Sequence, residues 1–171
     1  PAAGILEGDL QLEFFSKSLV RLFERQTALR TIFQFHNGEY RQTLKHVNEI
    51  TLPEFENCSD VEAPMEEALK KAYQLALQPF VPLNNLLCRC KLFKLASNKH
   101  LFMIVPHQLV FDGWSFDIFL GELESNYRAF SEERTPATTL LTFEFRDYAQ
   151  WCKSREINRD HLNYHLQALE N

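Results

Sequence analysis

Leu12, Phe15, Leu19, Leu22 and Phe23 recur at steps of three and four, the spacing that gathers side chains on one face of a helix. Just before them, "GILEG" (4–8) suits a short strand, and Asp9 stands where an N-cap would start the helix. "RTIFQF" (30–35) and "EYRQTL" (39–44) flank "HNG", and an Asn-Gly pair accepts the positive φ of a tight hairpin turn. Pro64 fits the first position of a helix, and "MEEALKKAYQLAL" continues with helix formers until Pro79. "LLCRCKLFKL" (86–95) and "HLFMIVP" (100–106) are separated by "ASNK", a second hairpin spacing. The second of these strands is apolar at nearly every position, which predicts an interior strand covered on both faces. After a turn at 107–113, Phe116, Phe119, Leu120, Leu123 and Tyr127 repeat at helical intervals, so a helix is expected from near Trp114. Two further helices are expected around 143–151 and 158–169, the latter with Leu162, Leu166 and Leu169 on one face.

Helices that alternate with hairpin-joined strands predict an α/β fold: a mixed or antiparallel sheet covered by helices. A chain of 171 residues with 45% hydrophobic content supplies one sizeable core, so a single compact unit is expected. The net charge of -5, with Lys and Arg scattered along the chain, offers no basic stripe for a phosphate backbone and argues against a nucleic-acid partner. Runs such as "LFMIVP" are too short to span a bilayer. The first residues lack the charged-then-apolar order of a secretory signal, and a cytoplasmic protein with no membrane partner is expected. Cys58, Cys88, Cys90 and Cys152 lack CxxC spacing, which predicts free buried thiols rather than zinc ligands. His161 and His165 stand four apart without an evident third ligand, so surface or packing roles are expected. His36, His46 and His100 lie beside turns or strand ends and are not candidate bases.

One turn carries chemistry. "HQLVFDGWS" (107–115) resembles the HHxxxDGxS motif of the condensation domains of nonribosomal peptide synthetases, which are relatives of chloramphenicol acetyltransferase. Other stretches agree in order. "RQTALRTIF" (25–33) is similar to the family's RHExLRTxF, keeping Arg25, Leu29, Arg30, Thr31 and Phe33. "FRDYAQW" (145–151) is similar to YxDYAxW, keeping Asp147, Tyr148, Ala149 and Trp151. "LQPFVPLNNLLCRCKLFKL" resembles the stretch before the family's central strand, and "LNYHLQAL" the helix that ends its first lobe. The resemblance implies a chloramphenicol acetyltransferase-like lobe. Residues 1–171 would be most of the N-terminal lobe, as an excised piece or a natural half-domain, without the extreme N-terminal motif and the C-terminal lobe.

The resemblance also implies a reaction. An amine on one phosphopantetheine arm attacks a thioester on another, so donor and acceptor carrier proteins, the C-terminal lobe and neighbouring synthetase domains are the implied partners. The lobe itself is expected to bind no cofactor and no metal. The family's second His orients the amine or takes its proton, work suited to a group that titrates near neutral pH. Here that position is Gln108, and His107 matches only the first, supporting His. An amide donates and accepts hydrogen bonds but does not take up a proton near neutral pH, which predicts an inactive chain. A carrier-docking or scaffolding lobe, or an acyltransferase of the wider superfamily, are the alternatives. Asp112 reads either as a base or as a structural carboxylate, and the resemblance pairs it with Arg30 in a buried ion pair. Gly113 would permit a close backbone approach or positive φ. Trp114 and Ser115 would cap the following helix, with Ser115 as N-cap, and Trp151 would anchor its segment on the lobe.

Overall fold

The computed structural model describes residues 1–137, 141–156 and 158–170. Its first unit, Pro1–Leu140, is built on a sheet of strands β1 (Ala2–Glu7), β4 (Glu54–Asn57), β5 (Cys88–Ala96) and β6 (Lys99–Pro106) in the order β1-β6-β5-β4. β6 is antiparallel to both its neighbours and β4 is parallel to β5, so the sheet is mixed. The interior position expected for 101–106 is therefore observed. β4 has no counterpart among the strands that the hydrophobic pattern predicts. A four-residue stretch with two glutamates, "EFEN", lacks the apolar alternation of a half-buried strand, and only β5 beside it supplies the pairing.

Side-chain alternation in β5 and β6 divides the core between the two sheet faces. Phe102 and Ile104, with Cys88, Cys90 and Leu92, pack against helices α1 (Leu12–Arg25) and α3 (Gly113–Ser131). Leu101, Met103 and Val105, with Phe93 and Leu95, pack against Ala68, Ala72 and Leu75 of helix α2 (Pro64–Leu77). Phe15 meets Phe102 edge-on at 5.2 Å between ring centroids, an arrangement that favours the ring quadrupoles. Each such apolar side chain removed from water contributes about 1.5–3 kcal/mol, and β6 supplies both faces.

The hairpin of β2 (Thr31–His36) and β3 (Glu39–Leu44) forms a separate two-stranded sheet. Its turn has Asn37 at φ 52° and Gly38 at φ 81°, as the Asn-Gly signal predicts. Helix α1 starts differently from expectation. Its N-cap is Gln11, and Asp9 accepts a hydrogen bond from the Gln11 side chain at 3.0 Å instead of capping. Ser18 joins the buried face that the pattern assigned to apolar residues, while Leu12 is exposed; the Ser18 hydroxyl is satisfied by the Phe14 carbonyl at 2.6 Å.

In place of the single compact unit expected, the chain divides into two. The second unit, Leu141–Asn171, holds α4 (Phe145–Ser154) and α5 (Arg159–Leu169). Leu162, Leu166 and Leu169 are exposed on α5. Within this unit the Trp151 ring meets Tyr148 at 5.7 Å and the Arg155 guanidinium at 4.6 Å.

Candidate active site

β6 ends at Pro106, α3 begins at Gly113, and the chain between them is the motif-bearing turn. Backbone hydrogen bonds contribute to holding the turn. The His107 amide donates to the Leu87 carbonyl at 2.7 Å, which prolongs the β5–β6 pairing, and the Val110 amide donates to the His107 carbonyl at 3.0 Å. His107 is half-buried. Its Nδ1 accepts the Leu109 amide at 3.1 Å, so in this arrangement the ring hydrogen sits on Nε2. Phe80 meets the ring edge-on at 5.6 Å. Gln108 is exposed, and its side-chain amide makes no hydrogen bond among the described residues. Leu109, Trp114 and Ile118 are exposed apolar side chains on the same turn and on the first two turns of α3.

Asp112 corrects two expectations. It is the N-cap of α3, its Oδ1 accepting the Ser115 amide at 3.0 Å and the Ser115 hydroxyl at 2.7 Å, while the Ser115 oxygen accepts the Asp112 amide at 3.2 Å. This reciprocal capping box satisfies donors that a helix start leaves open. Ser115 is thus the third helical residue and not the N-cap, and Trp114, 81% exposed, caps nothing. The hydrogen bonds from Ser115, side chain first and then backbone, hold the Asp112 carboxyl below its ordinary value.

The expected Arg30–Asp112 ion pair is absent, because both groups have other partners. Arg30 donates to the carbonyls of Phe23 (Nε, 2.7 Å), Lys45 (2.8 Å) and Glu24 (3.3 Å). Its guanidinium thereby ties the end of α1 to the segment leaving β3, which is a structural role with carbonyls in place of a carboxylate. Gly113 is also unlike its expectation. It lies outside the positive-φ residues, and a Cβ there would meet nothing within 4 Å, so the fold of this chain makes no demand for glycine at 113.

Outside the turn, several contacts carry no signal in the sequence pattern. Arg89 of β5 donates to the carbonyls of Gln78 (2.9 Å) and Pro79 (3.0 Å), and its guanidinium lies 3.8 Å over the Phe80 ring. Arg25 donates to Glu122, and Gln26 Nε2 donates to the same carboxylate at 2.7 Å, which joins α1 to α3. His100 lies inside β6 at 3% exposure with an unpartnered Nδ1. Burial, then the charge of Lys94, pushes its pKa below the ordinary value. Cys58, Cys88 and Cys90 are buried free thiols, whereas Cys152 is exposed, contrary to the expectation of four buried thiols. Its helix packs no residue into a core. Among the described residues no group of three or more His, Cys, Asp or Glu is placed to hold a metal ion. No described helix is long and apolar enough to cross a membrane.

The turn's sequence and its strand–turn–helix setting agree with one family. The model of the family described as "Condensation domain" matches residues 1–171. The chain belongs to the condensation domain family. Similar proteins include a linear gramicidin synthase of Brevibacillus parabrevis, 35% identical over 177 residues, covering 99% of this chain and 3% of the synthase. Tyrocidine synthase 3 of the same organism is 32% identical over 172 residues, covering 99% and 2%. The chain thus spans a few per cent of the length of these relatives. Among solved structures, the X-domain in its complex with OxyB from teicoplanin biosynthesis aligns with a TM-score of 0.77 and 25% identity, over 87% of this chain and 31% of that one. VibH, a condensation enzyme of nonribosomal peptide synthesis, shares the fold at a TM-score of 0.70 and 16% identity, over 86% and 33%. The chain therefore has the chloramphenicol acetyltransferase-like α/β fold of condensation domains.

Proposed function

We propose that this chain is the N-terminal lobe of a condensation domain in a nonribosomal peptide synthetase, and that the turn at 107–112 is its reaction face. Completed by a C-terminal lobe, it would join an acyl or peptidyl donor to an aminoacyl acceptor, each carried on the phosphopantetheine arm of a carrier protein. The acceptor amine attacks the donor thioester carbonyl, the carbon–nitrogen bond forms as the carbon–sulfur bond breaks, and the amine loses a proton while the donor arm leaves as a thiol. The observation that carries this reading is the exposed side chain at position 108, just beyond the interior strand, beside a His107 whose ring is engaged by Phe80 and the Leu109 amide.

Gln108 suits the orienting part of the task and not the proton transfer. Its carbonyl can accept from the attacking amine, but it takes no proton near neutral pH. His107 does not substitute, since its Nδ1 is occupied and its ring faces Phe80. The test is amide formation between loaded carriers by the complete domain. Gln108→His should raise the rate ~10²- to 10⁴-fold, the usual worth of a positioned base, and leave carrier binding unchanged.

One observation favours a second reading, a lobe that docks partners without catalysis. The X-domain, similar at 25% identity, was solved in complex with another protein, OxyB. If Gln108→His binds loaded carriers normally and forms no amide, the docking role replaces the catalytic one.

A further inference from the structure

We propose that Phe80 and Arg89 are positioning residues that set the ring of His107 and, through it, the turn that presents residue 108. This rests on the reading of residue 108 given above. In β6, Leu101, Met103 and Val105 face α2, and His107 continues that alternation past the strand end. There its ring meets Phe80 edge-on at 5.6 Å.

Phe80 is held in turn. It packs on the core beneath α2, and the Arg89 guanidinium covers its ring at 3.8 Å. Arg89 stands opposite Val105 in the β5–β6 pairing, two residues before His107. Its two-pronged contact with the Gln78 and Pro79 carbonyls closes the end of α2 and fixes where Phe80 can lie. A planar cation over an aromatic face is attractive, and a lysine ammonium reproduces neither the fork nor the stacking.

The consequence falls on the turn. With its ring fixed, His107 Nδ1 accepts the Leu109 amide, beside the bonds that its backbone makes to the Leu87 carbonyl and the Val110 amide. These bonds lie on both sides of Gln108. Residue 108 therefore inherits its direction from Arg89 by way of Phe80 and His107, without contact between Arg89 and the reacting atoms.

Two measurements on the full protein test this separately. In the first, histidine is labelled with ¹⁵N and the ring signals of His107 are assigned with His107→Gln. The unaltered protein should give the pattern of a ring protonated at Nε2. Phe80→Ala and Arg89→Met should shift that pattern, Phe80→Tyr should keep it, and the other histidines should not move. An unchanged His107 pattern in both disruptive variants, or equal shifts at every histidine, overturns the proposal.

In the second, amide formation is measured in the Gln108→His background. Phe80→Ala and Arg89→Lys should lower kcat by up to ~10²-fold, the scale of a displacement near 1 Å, with KM for loaded carriers unchanged and with Phe80→Tyr close to normal. A rise in KM at constant kcat overturns the positioning role. Inactivity of Gln108→His with Phe80 and Arg89 intact contradicts the reading of residue 108 instead, and the ring pattern still decides whether these two residues set His107.

Discussion

Asp112 and His100 are the two residues whose environments convert most directly into pH dependence. Hydrogen bonds from Ser115 depress the folded-state pKa of Asp112. Its contribution is therefore present above the unfolded carboxyl value and lost as pH falls through the lower folded one. Asp112→Ala should lower Tm by about a few degrees at neutral pH through loss of the cap, and the difference should shrink in acid, as thermal melts across pH will record. The variant's loss should be that of a helix cap, because no arginine pairs with Asp112 in the fold. For His100 the folded pKa also lies below its ordinary 6.5, first by burial and then by Lys94. Below 6.5 the unfolded chain takes up a proton that the folded chain refuses, so stability falls as pH drops from there toward the folded value. His100→Leu should flatten that part of the curve, measured as urea midpoints from about pH 7 to about pH 5.5. Failure of the slope to change would place the proton uptake elsewhere.

At the scale of elements, β6 is decisive because it closes two cores at once. Phe102 packs with Phe15 of α1 and Phe119 of α3. Phe102→Ala should cost about 3–5 kcal/mol, the range for emptying a buried aromatic site, and denaturant unfolding will measure it. The elements around this strand were legible because their signals are local: apolar steps of three and four for α1 and α3, Asn37-Gly38 for the hairpin, Pro64 for the start of α2. What was not legible depended on tertiary partners. β4 exists by pairing with β5. The cap at Asp112 was hidden by a motif that suggested an ion pair, although Asp112 and Ser115 have the spacing of a capping box. Arg30 binds three carbonyls, and no sequence pattern names carbonyls. The same holds for Phe80, which meets His107, and for Arg89, which covers Phe80 and binds the carbonyls after α2.

For the whole molecule, the family and its central turn were readable from motif order, and the position of Gln108 in "HQLVFDG" framed the functional question before any geometry. The geometry adds a distinction between neighbours: His107 is engaged by Phe80 and the Leu109 amide, while Gln108 is exposed. Gly113 meets no close neighbour, so a side chain there would fit the fold of this chain. If position 108 is where the family's base acts, glutamine there forfeits the proton transfer. The decisive experiment is the single-turnover rate of amide formation across pH, with loaded donor and acceptor carriers, for the Gln108 domain and for Gln108→His. The histidine version should be faster, and its advantage should grow as pH rises through about 6.5, where an unperturbed imidazole becomes able to accept a proton. Equal rates for the two versions, with one shared pH profile, would show that no base acts from position 108.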